Sequence, residues 1–257
     1  MMIPVQIGVY ASGEPVTIDL ASSSLGVSGA SRSGKSTAVY GLLGRLPQGV
    51  RLWGADPTGI LFNVWKPDPW RVLTTRNLPQ VVEMLCGVVG ELDKRLDYLL
   101  EHKLDKLPLN QGFPYLLGVF EEYPGLLNRL RDYDRENGLK PAERLEPKVI
   151  SLLTRIFLEG RKCLISVILI SQQFSVELTG SSVIRDQLGI LLTFRQGATS
   201  LRMVHPDITP EEIEIARKFI PGQGFIQKDF GNLETWRAVN TTYPQYAALV
   251  QRNQSSM

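Results

Sequence analysis

Apolar and polar residues alternate along Ile3 to Ser28, and the alternation is broken at Ser12-Gly13-Glu14-Pro15. A period of two belongs to half-buried strands, so the stretch predicts a hairpin feeding a first core strand at Leu25-Gly26-Val27. Thr37 to Leu46 predicts a short helix stopped by Pro47, and Arg51 to Pro57 a strand that ends in a turn. Between 81 and 104 the period lengthens: Leu85, Val88, Val89, Leu92, Leu96, Leu99 and Leu100 share one face of a long helix. Glu91 and Arg95 pair on the other, solvated face. Tyr115 to Phe120 is an apolar strand. Residues 124 to 147 are rich in Arg, Asp, Glu, Pro and Gly and predict a partly exposed excursion, as a mobile loop or a solvated helix. Helical spacing returns from Val149 to Glu159 and closes at Gly160, and strands follow at Cys163 to Ser171 and Ile190 to Phe194. Thr209-Pro210-Glu211-Glu212 has the form of a capped helix start, and Phe219 to Ile226 and Thr235 to Val239 predict closing strands. Strands alternating with helices predict an α/β fold, a mostly parallel central sheet with helices on both faces.

With 257 residues, 43% hydrophobic and 21% charged, the chain is long enough for one large core and has the composition of an ordinary globular protein. The expectation is a single domain over 1–257: a hairpin lead-in at 1–24, a core at 25–240 and a tail at 241–257. A net charge of +2 does not announce a nucleic-acid binder, and leaves room for a local basic lining. Cys86 and Cys163 are too few for a disulfide framework, and their apolar surroundings predict reduced core thiols in a cytoplasmic protein. Leu164 to Ile170 is strand-length, and neither a bilayer span nor a signal peptide is expected.

The candidate chemistry begins at Gly29-Ala30-Ser31-Arg32-Ser33-Gly34-Lys35-Ser36-Thr37, the pattern G-x-x-x-x-G-K-[ST] set directly after a predicted strand. In such a phosphate loop, Gly29 and Gly34 let the backbone turn its N–H groups around phosphates. Lys35 reaches the β- and γ-phosphate oxygens, and Ser36 ligates Mg²⁺, so ATP and Mg²⁺ are the expected cofactors. Glu121-Glu122 follows the strand Tyr115 to Phe120. Adjacent carboxylates there suit an ATPase, Glu121 toward Mg²⁺ and Glu122 toward the attacking water, and also suit a plain helix N-terminus. Gln172, past Cys163 to Ser171, is a candidate sensor of the γ-phosphate or a turn residue.

Several segments in order resemble the motor domain of the FtsK/SpoIIIE family of DNA translocases and the related actinobacterial conjugation ATPases of the TraB type. They are GEPVTIDL before the loop, GADP, ELDKRLDYLLEHKLDKL, VFEEYPGLL, GRKCLISVILISQQFS and PGQGFI. The resemblance implies a RecA-like P-loop fold and a hexameric ring of identical subunits that hydrolyses ATP to move double-stranded DNA, in plasmid or mobile-element transfer or partition. It is compatible with a membrane-protein partner. It matches Lys35 and Ser36 to the nucleotide-binding pair, Glu122 to the residue acting on water, Gln172 to the sensor and Arg161 to an arginine inserted into the neighbouring subunit's site. Apart from the resemblance, Arg161 ranks no higher than Arg155 or Arg195. Glu121 stands where the family has Asp, and Gln173 where a basic residue is common. The basic loop after Phe194 shrinks to Arg195 and Arg202, the DNA-contact candidates. The segment between the acidic pair and Arg161 is longer than in the family, and no counterpart of the membrane anchor and winged-helix module of many relatives is expected. Alternatives are a type VII secretion-like ATPase acting on protein, a small-molecule P-loop kinase, and a nucleotide-binding scaffold without turnover.

Overall fold

The computed structural model describes residues 2–68, 70–72, 77–109, 112–174 and 180–255. Ser175, the last residue of the SQQFS segment, and the final two residues of the tail lie outside them. In chain order the strands are β1 (Pro4–Tyr10), β2 (Pro15–Asp19), β3 (Leu25–Ser28), β4 (Val50–Ala55), β5 (Arg71–Val72), β6 (Tyr115–Phe120), β7 (Ile165–Ser171), β8 (Ile190–Phe194), β9 (Gln223–Lys228) and β10 (Glu234–Ala238). The helices are α1 (Lys35–Gly44), α2 (Pro79–Glu101), α3 (Tyr123–Glu136), α4 (Leu145–Glu159), α5 (Ser182–Asp186), α6 (Ala198–Val204), α7 (Pro210–Arg217) and α8 (Tyr243–Ser255), with a 3₁₀ turn at Gly160–Cys163. The described residues form two compact units, one of 49–169 with 180–187, the other of 2–48, 170–174 and 188–255.

In the first unit β4 pairs in parallel with β5 and β6, and β6 with β7. Every residue of β6 and β7 is buried, which explains why both read as unbroken apolar runs: parallel strands are covered on two sides. After β4, Asp56 is fully buried, and its carboxylate accepts from Thr58 N (2.9 Å), Thr58 Oγ1 (2.7 Å), Leu61 N (2.6 Å) and Phe62 N (3.4 Å). One acid therefore organises the whole turn that leaves the strand.

The first unit also departs from the sequence reading in places. Of the two forms expected for the charged stretch 124–147, the helical one is found: it holds α3 and the start of α4. Leu126, Leu127 and Leu130 supply α3 with a buried stripe beneath its charges. No side chain at Arg144 caps α4; Asp134, a buried residue of α3, accepts from Leu145 N (2.8 Å) and Glu146 N (3.1 Å) in its place. On α2, Leu100 is 77% exposed while Arg95 is fully buried, so the pair Glu91–Arg95 does not lie on a solvated face. Cys86 is exposed, against the expectation of a core thiol. Cys163 is buried, and burial pushes its thiol up to about 11.

In the second unit β2, β1, β10, β9 and β8 pair in that order, each antiparallel to the next, and β8 pairs in parallel with β3. The expected hairpin is β1–β2, with alternating burial along both strands. Thr209 and Glu212 form the expected capping box on α7. Residues 243–255 of the segment read as a tail form α8, which buries Tyr246 and Val250 and stacks Tyr246 on Tyr40 of α1, centroids 5.0 Å apart. Asn253 donates to the carbonyls of Gly44 (3.3 Å) and Leu46 (3.2 Å), capping the end of α1 from a distance. Among the described residues no helix is long and apolar enough to cross a membrane.

Replacing Asp56 with Ala strands several donors, two of them on buried residues. The variant is expected to lose on the order of 3 kcal/mol of stability, read as a lower urea midpoint with an unchanged slope.

Candidate nucleotide-binding site

In the second unit β3 is buried along its length and ends at Ser28. The chain then turns sharply. A Cβ on Gly29 would lie 2.6 Å from Ser33 Oγ and 2.7 Å from Phe194 Cβ, so the position has no room for a side chain. Ala30 N donates to the Arg195 carbonyl (3.0 Å), tying the loop to the exit of β8, and Ser33 N donates to Ala30 O (3.2 Å). Arg32 (φ 61°) and Gly34 (φ 93°) both occupy the left-handed region, which reverses the backbone just before α1. At Gly34 a Cβ would meet Gly222 N at 2.2 Å, and Gly222 N donates to Ser33 O (2.8 Å).

The loop thus delivers the chain to the N-terminus of α1, whose first amides have no intrahelical acceptors and carry the positive end of the helix dipole. No acidic residue stands in that first turn to compete for them. Thr37 Oγ1 donates to Gly34 O (2.7 Å). Lys35 is buried to 8% exposure, and its Nζ donates to the Ser171 carbonyl at the tip of β7 (3.0 Å). Ser36 is exposed. Ser33 Oγ is buried without a partner among the described residues, the kind of polar atom that marks a ligand's surroundings. These features fit a polyphosphate: amides at a helix end, a lysine beside them and a hydroxyl at Ser36 for a metal. Among the described residues no group of three or more His, Cys, Asp or Glu could hold a metal alone. A Mg²⁺ site here would draw on phosphate oxygens and water, as Mg²⁺ commonly does.

Gln172 stands exposed one residue beyond the carbonyl that holds Lys35. The Ser171 hydroxyl accepts from Gln173 N (3.0 Å) and donates to Gln173 O (2.5 Å), closing the turn around Gln172. Arg195 and Arg202 are exposed, Arg195 just past β8 and Arg202 on α6. Beneath them Thr193 Oγ1 bonds His205 Nε2 (2.8 Å), and His205 Nδ1 bonds Gln227 Oε1 (2.9 Å); burial lowers the His205 pKa and favours its neutral form.

The first unit holds the other candidates. Glu121 is half-buried and donates its amide to Ala55 O (3.0 Å), extending the β4–β6 ladder by one residue. Glu122, also half-buried, adopts φ 47° and ψ 51° as the cap of α3, and its carbonyl accepts from Leu126 N (3.1 Å). Burial of the neighbouring Tyr123 phenol pushes its pKa well above the ordinary range, so it stays a neutral hydroxyl. Arg161 is exposed on the 3₁₀ turn after α4. The sequence reading did not single out Ser171, whose contribution is a backbone carbonyl, or Gly222. The Pro221-Gly222 turn beside the loop was the available signal for the latter.

No protein-family model matches the chain, and no curated protein matches it in sequence. Solved structures do match its fold. The cytoplasmic domain of the type VII secretion ATPase EccC of Thermomonospora curvata superposes with a TM-score of 0.74 at 17% identity, over 98% of this chain and 31% of that one. EccC ATPases 2 and 3 in complex with a signal sequence peptide give 0.73 at 18%, over 99% of this chain and 47% of that one. The pCW3 conjugation coupling protein TcpA, in a monomer form with ATPγS, gives 0.74 at 14%, over 98% and 71%. VirB4 of Thermoanaerobacter pseudethanolicus gives 0.54 at 13%, over 94% and 98%. The chain therefore has the fold of P-loop ATPase domains found in secretion and conjugation systems, and spans less than half the length of the EccC chains it matches.

Gly34→Ala places a carbon against Gly222 in a backbone region that alanine disfavours. It is expected to weaken binding of a fluorescent ATP analogue at least about tenfold while the fold, followed by circular dichroism, persists.

Proposed function

We propose that the chain is the motor domain of an ATP-driven, ring-forming translocase that moves double-stranded DNA. The observation that carries this reading is the phosphate loop: Gly34 reversed against Gly222, the open amides of α1, and a buried Lys35 held at the tip of the strand that leads to Gln172. Residues 29–37 hold the triphosphate, and Ser36 with Glu121 hold Mg²⁺. ATP supplies the phosphoanhydride bond whose cleavage by water drives movement. Glu122 orients and polarises that water, Gln172 responds to the γ-phosphate, and Arg161 enters the site of the adjacent subunit to offset charge in the transition state. Both units act as one motor domain, and hydrolysis requires assembly, since the site draws on two copies.

DNA as the polymer rests on the sequence resemblance and on the exposed Arg195 and Arg202, placed on the segment whose first carbonyl holds the phosphate loop. Base-blind grip on a duplex acts through its phosphates and needs cations. A protein substrate is the second reading, favoured by the presence of two arginines where a richer basic loop is common and by the signal-peptide complex of EccC.

The test is steady-state ATP hydrolysis with and without duplex DNA. Duplex is expected to stimulate wild type, and stimulation by a secretion-signal peptide with no response to DNA would select the protein substrate. Glu122→Gln is expected to bind ATP normally and to turn over about 10²- to 10⁴-fold more slowly. Lys35→Ala and Arg161→Ala, each inactive alone, are expected to recover partial activity when mixed; normal turnover by Arg161→Ala alone would refute the shared site.

A further inference from the structure

Arg95 is a charge in an unusual place. It lies on the buried stripe of α2 among Leu85, Val88, Leu92 and Leu99 and is itself fully buried. Its Nε donates to Glu91 Oε1 (2.9 Å), its guanidinium carbon lies 5.4 Å from the centre of the Phe113 ring, and Nη2 has no partner among the described residues. Taking a cation out of water is costly, and an apolar side chain of similar volume often fills such a site at least as well. Stability therefore gives little reason for an arginine. What an apolar residue could not do is the remaining bond: Nη1 donates to the carbonyl of Cys163 (2.8 Å).

Cys163 closes the 3₁₀ turn that carries Arg161. The same turn is held at neighbouring carbonyls. Gly160 O accepts from Leu164 N, Lys162 O from Leu107 N (2.8 Å) and Leu164 O from Leu116 N (2.9 Å). Leu164 leaves in the left-handed region (φ 58°), and a Cβ on Gly160 would lie 2.8 Å from Ile165 O. The backbone around Arg161 is thus fixed from several directions, and the bond at Cys163 comes from a side chain of another helix.

We infer that Arg95 is the positioning residue for Arg161, fixing from the core the turn from which Arg161 reaches the adjacent subunit's ATP site. The inference rests on the shared-site reading of the preceding subsection. Misplacing a reacting group by about 1 Å can cost on the order of 10²-fold in rate, so a small drift of the turn suffices.

The test is Arg95→Met, which keeps the volume and removes the charge and the bond. It is expected to fold, to bind ATP like wild type and to lose at least about tenfold in kcat. The defect belongs to the neighbour's site, so mixing with Lys35→Ala, which carries an intact Arg161 turn, is expected to restore turnover at the Arg95→Met loops. Mixing with Arg161→Ala restores nothing. A wild-type kcat for Arg95→Met, or a loss that Lys35→Ala subunits do not rescue while they do rescue Arg161→Ala, would overturn the positioning role alone. Failure of Lys35→Ala to rescue Arg161→Ala would instead overturn the shared site, and this inference with it. Arg95→Lys, which keeps the charge and loses the planar fork, carries the same mixing test should the Met variant not fold.

Discussion

The candidate site depends on a close approach between two backbones. Gly34 and Gly222 come so near that one added carbon would overlap an amide nitrogen, and Gly222 N is bonded to the carbonyl just before Gly34. That contact holds the loop's exit while the bond from Ala30 N to Arg195 O holds its entry. Between the two anchors the chain must reverse direction, and the reversal aims the first amides of α1 outward and brings Lys35 to the tip of β7. What suits this site to a polyphosphate is backbone geometry first and side chains second.

Features that depend on neighbours in sequence were legible in it. The hairpin β1–β2, the strands β6 and β8, the capping box at Thr209 and the phosphate loop each declare themselves within a few residues, through period, turn chemistry or a fixed spacing of glycines. Features that depend on residues distant in sequence were not. Asp134 caps a helix that starts eleven positions later, and Asn253 caps one that ends more than two hundred residues earlier. Arg95 has the helical spacing of Val88, Leu92 and Leu99, so its charge and not its position suggested a solvated face; the carbonyl it meets in the core belongs to Cys163, 68 residues on. The charges of 124–147 left loop and helix both open because a leucine stripe needs few positions, while charge dominates the composition. Cys86 shows the converse: apolar neighbours in sequence do not make a buried thiol when the helix turns that position outward.

Glu122 bears a local backbone cost at the start of α3. A left-handed backbone suits glycine, and a non-glycine residue there bears a cost of about 1 kcal/mol. Glycine would relieve the turn between β6 and α3 and would remove the carboxylate. The same residue is both the corner of the chain and the acid at the strand's end, so the direction of its side chain is set by the turn itself.

The pairing of β1 with β10 matters during synthesis. Gly8 faces Ala238 and Tyr10 faces Trp236, partners separated by nearly the whole chain. The unit bearing the acidic pair is built mostly from one continuous stretch, 49–169, and has most of its residues once position 169 has left the ribosome. The unit bearing the phosphate loop is assembled from three pieces and cannot close its sheet until β10 emerges. A nascent chain therefore carries the β1–β2 hairpin with the second edge of β1 unpaired until β10 has been made.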